Sequence, residues 1–107
     1  ISLLPDGFAI AHHQAIMAIA ADLKIPVMSG WPVFAHAGAL CTYGPRLPQV
    51  YRRVAYYVAR ILNGAKPADL PIERPSQFEL ILNQRTARAF NLTFPRAILA
   101  RADEVIE

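Results

Sequence analysis

Charged residues are scarce in this sequence of 107 residues, at 18% of the chain, whereas hydrophobic residues make up 54%. A chain of this length has room for one small domain with a large surface for its volume, so it needs only a small core. Two interpretations of the apolar excess remain open: a dense core, or apolar faces that another part of the protein covers. The apolar start at Ile1 favours a cut edge, because natural N-termini are more often polar and loose.

Cysteine is nearly absent too, and the single residue Cys41 excludes an internal disulfide. No stretch approaches the ~18 consecutive apolar residues that a membrane span needs. The chain does not open with a basic and apolar leader, so we expect any export signal to lie upstream of this sequence.

Basic residues are almost missing from the first half of the chain. Up to Pro45 only Lys24 is basic, whereas ten Lys or Arg and six acidic residues follow from Arg46 onward. These basic residues are scattered among apolar ones, a pattern typical of a solvated surface and not of a nucleic-acid interface. We therefore expect no nucleic-acid partner.

The first 28 residues predict a strand, a helix and a second strand. "ISLL" is a short apolar run that Pro5 stops, and "IPVM" is another such run before Ser29-Gly30. The helix between them begins at Asp6 as N-cap, and its apolar stripe is Phe8, His12, Ile16, Ile19 and Leu23. Its many alanines would let it lie close against a sheet. Such a unit predicts parallel strands joined by a right-handed crossover.

The rest of the chain continues the alternation of helices and strands. Pro32 to Ala37 predicts a helical turn that Gly38 ends, and "ALCTYG" predicts a third strand. The pattern from Leu47 to Asn63 is the clearest helix, with Gly64 after its end. A proline-rich connector, a strand near 77–82, a short helix from Gln84 to Phe90 and a last helix from Pro95 through about Val105 complete an α/β chain of about four strands.

A binding site is expected beyond the carboxyl ends of the predicted parallel strands, where ligands bind in open α/β sheets. The loops at those ends contain Asp6 and Phe8, then Ser29 and Trp31, then Tyr43. Aromatic rings on a segment so interrupted by Gly and Pro either fill a core or line a cleft. Phe34 is expected in the core, and both interpretations remain open for Trp31 and Tyr43.

The sequence contains no familiar metal or catalytic pattern. His12 and His13 are adjacent and point about 100° apart on a helix, so they are poorly placed to share one metal. A hydrolase that uses Cys41 with His36 is conceivable, but Cys41 lies within a predicted strand, where buried thiols usually only pack. We expect no metal, no cofactor and no catalytic residue.

Several segments together resemble one protein family. "LPDGFAIAHHQAIMAIAADLKIPVM", "AGALCTYGP", "ILNGAKPADLPIE", "FELILNQRTARAFNL" and "RADEVI" are similar to the C-terminal third of ABC-transporter substrate-binding proteins, the family that includes aromatic amino-acid binders. The resemblance covers nearly the whole chain. It implies an α/β fold with a parallel sheet flanked by helices, as the C-terminal portion of a two-lobed type I periplasmic binding protein.

On that template, residues 1–44 form a βαβ segment of the second lobe with a hinge crossing. Residues 45–71 contribute a helix that returns to the first lobe, followed by the crossover connector, and residues 72–107 complete the second lobe. The resemblance implies a ligand between the lobes and hinge closure upon it. The sequence "SGWPVFAHAG" departs from relatives, which commonly have polar or charged residues there, and its Trp31 indicates an apolar or aromatic ligand.

The resemblance implies a periplasmic or extracytoplasmic protein whose partners are a small solute and the membrane permease subunits of an ABC importer. An alternative is a ligand-sensing regulatory domain of the same fold, since fold does not fix function. The apolar stripe of helix 47–63 also predicts that the isolated chain forms a homodimer by covering this stripe.

Overall fold

The computed structural model describes residues 1–4 and 6–107 as an α/β chain, so the predicted stop at Pro5 lies outside the described residues. The strands are β1 (Ser2–Leu3), β2 (Met28–Ser29), β3 (Cys41–Pro45), β4 (Phe78–Asn83) and β5 (Glu104–Ile106). The helices are α1 (Gly7–Ala11), α2 (His13–Asp22), α3 (Pro32–His36), α4 (Leu47–Leu62), α5 (Gln84–Ala89) and α6 (Arg96–Leu99), with a 3₁₀ turn at Pro67–Asp69.

The strands form one sheet in the order β1-β2-β3-β4-β5. β1, β2 and β3 are parallel neighbours, and β4 and β5 are also parallel. β3 and β4 run in opposite directions, because Asn83 N donates to Leu40 O near one end and Arg46 N donates to Gln77 O near the other. The predicted α/β sheet flanked by helices is confirmed, and it is a mixed sheet.

The predicted single helix after β1 is wrong in two respects. The helix is broken at His12, which has φ −110° and ψ 18°, into α1 and α2. Its core face is formed by Ala9, Met17 and Ala20, while Phe8, Ile19 and Leu23 of the predicted stripe are exposed. Small alanine side chains and Met17 therefore form the core face, and Phe8, Ile19 and Leu23 are left outside it.

The predicted last helix is wrong as well, because α6 ends at Leu99 and a fifth strand follows. Asp103 starts that strand: its backbone N–H donates to Leu80 O, and its Oδ2 accepts a hydrogen bond from Leu80 N. Val105 and Ile106 then pair with Leu82 and Asn83 of β4. Pairing with β4 thus overrides the helical pattern of the sequence.

The predicted helix ends are confirmed where Gly, Asn and Asp mark them. Asp6 Oδ1 accepts a hydrogen bond from Ala9 N at 2.8 Å, and Asn83 Oδ1 accepts one from Thr86 N at 2.9 Å. Gly38 and Gly64 follow α3 and α4 with φ 112° and 97°. Positive φ values are less unfavourable for glycine than for any other residue, because glycine has no Cβ atom.

Two compact units make up the chain. We call residues Ile1–Gly44 with Glu79–Glu107 the core unit and residues Pro45–Phe78 the helix unit. The buried apolar residues all belong to the core unit: Ala9, Met17, Ala20, Val27, Phe34, Ala35, Ala39, Ile81, Leu82 and Ala87. Phe34 is fully buried, as predicted.

The helix unit has no buried residue. Its one long helix, α4, has an apolar stripe formed by Val50, Val54, Tyr57, Val58 and Ile61. It also has six basic and two acidic residues. Within the described ranges, no helix combines the length and hydropathy that crossing a membrane requires.

Candidate functional site

The carboxyl ends of β1, β2 and β3 lie side by side at one edge of the sheet. The register aligns Leu3 of β1 with Ser29 of β2, and Ser29 with Thr42 of β3. The loops that contain the predicted site residues therefore leave the sheet at neighbouring positions. This edge of the core unit is the candidate ligand-binding site.

Ser29 is a buried member of this edge, with 3% of its surface exposed. Its Oγ donates a hydrogen bond to Leu3 O at 2.9 Å, which ties the end of β2 to the end of β1. The hydroxyl therefore has a structural partner within the protein. Ser29 fixes the positions from which the two neighbouring loops start.

Gly30 and Gly44 bring the ends of β2 and β3 into backbone contact. A Cβ atom on residue 44 would lie only 1.8 Å from Gly30 O. Only glycine permits this approach without a backbone shift. The contact fixes where the chain turns from β2 towards Trp31.

Trp31 and Tyr43 are the aromatic residues at the ends of β2 and β3. Trp31 is half-buried, occupies the N-cap position of α3 and packs against the hydrophobic core of the core unit. Tyr43 is 58% exposed and follows the buried Thr42. Of the two rings, Tyr43 therefore presents more surface to a ligand, and Trp31 divides its surface between the core and solvent.

Asp6 and Phe8 follow β1. The Asp6 carboxylate is engaged in capping α1. Phe8 is 73% exposed, and its ring lies 4.5 Å from the ring of His12, measured between centroids. Phe8 is thus available at this edge as an apolar surface, and Asp6 orients the helix that presents it.

Thr42 is a residue of this edge that the sequence did not single out. Its Oγ1 is buried and has no hydrogen-bond partner among the described residues, which costs free energy in a folded protein. The alternation of β3 places Thr42 on the face opposite to Cys41 and Tyr43. A threonine inside an apolar strand gives no sequence signal of such a position.

Cys41 and His36 are the residues that the sequence offered for a hydrolase. Partial burial raises the pKa of the Cys41 thiol, which keeps it protonated and poorly nucleophilic at neutral pH. His36 Nε2 lies 3.8 Å from a carboxylate oxygen of Glu104 on β5. Among residues 1–4 and 6–107, no three His, Cys, Asp or Glu side chains are grouped as metal ligands.

A cavity of about 420 Å³ lies within the helix unit and contains none of the predicted site residues. Val50, Val54 and Tyr57 of α4 form one wall, and residues 73–77 of the connector form the other. The apolar wall is the stripe of an amphipathic helix, which normally packs against other protein. We therefore place the candidate site at the sheet edge and not in this cavity.

Arg53 joins the two walls of this cavity. Its guanidinium donates two hydrogen bonds to the Glu73 carboxylate and stacks on Tyr56, at 4.3 Å from the ring centroid. Tyr57 OH donates to Pro71 O at 2.6 Å. The hydrogen bonds from Arg53 lower the pKa of Glu73, so the pair stays ionised at neutral pH. The scattered basic residues of the sequence predicted a solvated surface and gave no indication of this partner.

Comparison with known proteins identifies the class of protein that this fold and site define. The family model for ABC transporter substrate binding proteins matches residues 1–106. This match covers almost the whole sequence, so the chain belongs to the ABC transporter substrate-binding protein family. The resemblance inferred from the sequence is confirmed.

Solved structures show the same fold. A conserved domain protein from Vibrio cholerae O1 biovar El Tor is 28% identical to the chain with a TM-score of 0.91. An ABC domain in complex with L-Trp from Streptococcus pneumoniae is 21% identical with a TM-score of 0.88. The ligand-free, open structure of a substrate-binding protein with adhesive properties from Clostridium difficile is 21% identical with a TM-score of 0.64.

Each of these comparisons covers 98% of this chain but only 35% or 36% of the other protein. The chain thus spans about a third of the length of its structural relatives. No protein of curated function matches it significantly.

Proposed function

We propose that this chain is the C-terminal part of a two-lobed protein that captures a small solute for an ABC importer. The observation that carries the proposal is the family match over residues 1–106. The site adds chemical support, because an exposed Tyr43 and a half-buried Trp31 lie at the carboxyl edge of parallel strands, where α/β proteins bind ligands.

The division of the chain supports a hinge. In the proposed protein, residues 1–44 and 72–107 belong to the second lobe, and residues 45–71 return to the first lobe and lead back from it. The chain passes from the core unit to the helix unit after Gly44, near the end of β3, and returns to the core unit after Phe78, at the start of β4. Solute binding would then favour a closed arrangement of the lobes, which the membrane permease recognises outside the cytoplasm.

The proposed ligand is an amino acid or another small molecule with an aromatic or apolar group. Tyr43, Trp31 and Phe8 offer rings on which an apolar group can stack. Ser29 and Asp6 contribute by holding the loops in place, through their bonds to Leu3 O and Ala9 N. The L-Trp complex of the relative from Streptococcus pneumoniae makes L-Trp the first compound to test.

The test is a thermal-shift and calorimetric screen of the complete protein with L-Trp, L-Phe, L-Tyr, L-Leu and L-Glu. A ligand that binds the native state raises the Tm, and the shift grows with the logarithm of the ligand concentration once this exceeds the Kd. We expect Tyr43→Ala to weaken binding by about tenfold or more, since a buried ring contributes ~1–2 kcal/mol to binding, while Tyr43→Phe keeps most of the affinity.

Two results would count against the proposal. The first is a complete protein whose Tm is unchanged by every solute in a broad screen. The second is a bound solute whose affinity is the same in the wild type, Tyr43→Ala and Trp31→Ala, which would place the ligand elsewhere.

A further inference from the structure

Two side chains from a distant part of the core unit hold the C-terminal end of α3. Asn83 Nδ2 donates a hydrogen bond to Ala35 O at 3.0 Å, and Thr86 Oγ1 donates one to Gly38 O at 3.0 Å. The two residues of each pair are 48 positions apart in the sequence, so both bonds form only in the tertiary structure. We call the side chains of Asn83 and Thr86 the α3 clamp.

The residues of the α3 clamp are themselves fixed in the core unit. Asn83 ends β4, is 4% exposed, and accepts a hydrogen bond from Thr86 N through its Oδ1 at 2.9 Å. The amide of Asn83 therefore contacts α5 through its oxygen and α3 through its nitrogen. Glu104 of β5 adds a looser contact, because one of its carboxylate oxygens lies 3.8 Å from His36 Nε2. The end of α3 is thus attached to β4, α5 and β5.

Trp31 lies at the opposite end of the same helix. It is the N-cap residue of α3, but its side chain makes no capping hydrogen bond. α3 has only five residues, a length at which a helix is not stable by itself, so tertiary contacts decide its direction. The fully buried Phe34 fixes its middle, and Trp31 and Gly38 lie about one helical turn to either side of Phe34. A tilt of α3 about Phe34 would therefore displace both ends, and the clamp at Gly38 opposes such a tilt.

We propose that Thr86 is a positioning residue for the ligand site, which acts with Asn83 through α3 on the orientation of Trp31. With the clamp closed, the ring of Trp31 is presented to a solute in one orientation, so less conformational freedom is lost on binding. The role in solute binding rests on the proposed function, whereas the effect of Thr86 on Trp31 does not and can be measured without a ligand.

Fluorine NMR of the complete protein labelled with 5-fluorotryptophan tests the proposal, with the Trp31 resonance assigned through Trp31→Phe. Thr86→Val removes the hydroxyl donor at nearly constant shape, and we expect the Trp31 resonance to shift or broaden. Thr86→Ser keeps the donor and should retain the wild-type resonance. Thr93→Val makes the same change at an exposed position and should leave the resonance where it is. An unchanged Trp31 resonance in Thr86→Val overturns the proposal.

A destabilised control distinguishes positioning from a general loss of stability. Ile81→Val removes one methyl group from a buried residue of β4 and, like Thr86→Val, is expected to lower the Tm by a few degrees. It leaves both hydrogen bonds of the α3 clamp in place, so the Trp31 resonance should not move. If Ile81→Val shifted this resonance as much as Thr86→Val does, the proposal would be wrong.

Calorimetry with L-Trp measures the consequence for binding. We expect Thr86→Val to weaken the affinity for L-Trp by about threefold to tenfold, while Thr86→Ser and Thr93→Val stay within about twofold of the wild type. Equal affinities of the wild type and Thr86→Val would overturn the proposal, because Thr86 would then have no effect on the ligand site. A Trp31 resonance that shifts in a protein without affinity for L-Trp supports the positioning by Thr86 and counts only against the proposed ligand.

Discussion

The core unit and the helix unit are both rich in apolar side chains, but only the core unit buries them. In the core unit helices pack against a sheet, and side chains such as Phe34 and Leu82 are enclosed. The helix unit has one long helix and a connector, and even the half-buried Tyr57 is not enclosed. The difference shows that an amphipathic helix acquires a core only when a second layer faces its stripe.

The largest expected effect is that of Phe34→Ala. This variant should lower the free energy of unfolding by about 3–5 kcal/mol, because it leaves a cavity in a fully buried site. Val58→Ala in α4, where the side chain is half exposed, should cost less than about 1 kcal/mol if nothing else covers the helix. Denaturant unfolding of both variants measures the contrast, and equal losses would show that the stripe of α4 is as well covered as Phe34.

Gly44→Ala tests the point at which the chain leaves the core unit. The added methyl group would clash with Gly30 O, so we expect a loss of about 2–3 kcal/mol in stability. Gly7→Ala is the control: outside its own helix and its chain neighbours, no described residue has an atom within 4 Å of the added Cβ. Gly7 is also helical, so this variant should be neutral or stabilising by up to ~1 kcal/mol. Thermal melts of the two variants that coincide would contradict the close approach of the two glycines.

Two asparagines, Asn83 in the core unit and Asn63 in the helix unit, allow the contribution of one side-chain amide to be compared between the units. Asn83 is buried, donates to Ala35 O at 3.0 Å and caps α5, so Asn83→Ala should cost about 2 kcal/mol. Asn63 follows the exposed end of α4, and Asn63→Ala should change stability by less than ~0.5 kcal/mol. Urea unfolding distinguishes the two variants, and a larger loss for Asn63→Ala would reverse the assignment of the core.

The smallest effect is expected at Glu73, on the surface of the helix unit. Its pKa is lowered in the folded state, first by the hydrogen bonds from Arg53, so the stabilisation is present above the ordinary glutamate pKa and is lost as the pH falls through the lowered value. Carbon-detected NMR titration should show this lowered pKa. Arg53→Gln should return the pKa towards its ordinary value, whereas Arg52→Gln, the neighbouring control, should not.

Local sequence signals predicted the units of structure well. Apolar runs closed by Ser-Gly or Gly-Pro gave β2 and β3, and Asp6, Asn83, Gly38 and Gly64 marked helix ends through their own side-chain or backbone chemistry. These signals act over a few residues, so they need no knowledge of the rest of the chain. The positions of Ser29, Trp31 and Tyr43 at strand ends were predictable for the same reason.

The sequence could not predict which apolar residues are covered. Ile19 and Ala20 are adjacent and both apolar, yet Ala20 is buried and Ile19 is not, because the sheet lies against one flank of α2 only. Nor could it predict that Glu73 would meet Arg53, twenty residues away, or that Thr42 would lose its hydrogen-bond partners on burial.

The sequence by itself determined the alternation of strands and helices, the ends of most of these elements and the family to which the chain belongs. Only the tertiary structure decided that residues 104–106 form a strand, because their partner β4 lies more than twenty residues earlier in the chain. It also decided which face of each helix is enclosed. Burial depends on contacts between distant segments, and a pattern of neighbouring residues contains no information about which distant segment will face it.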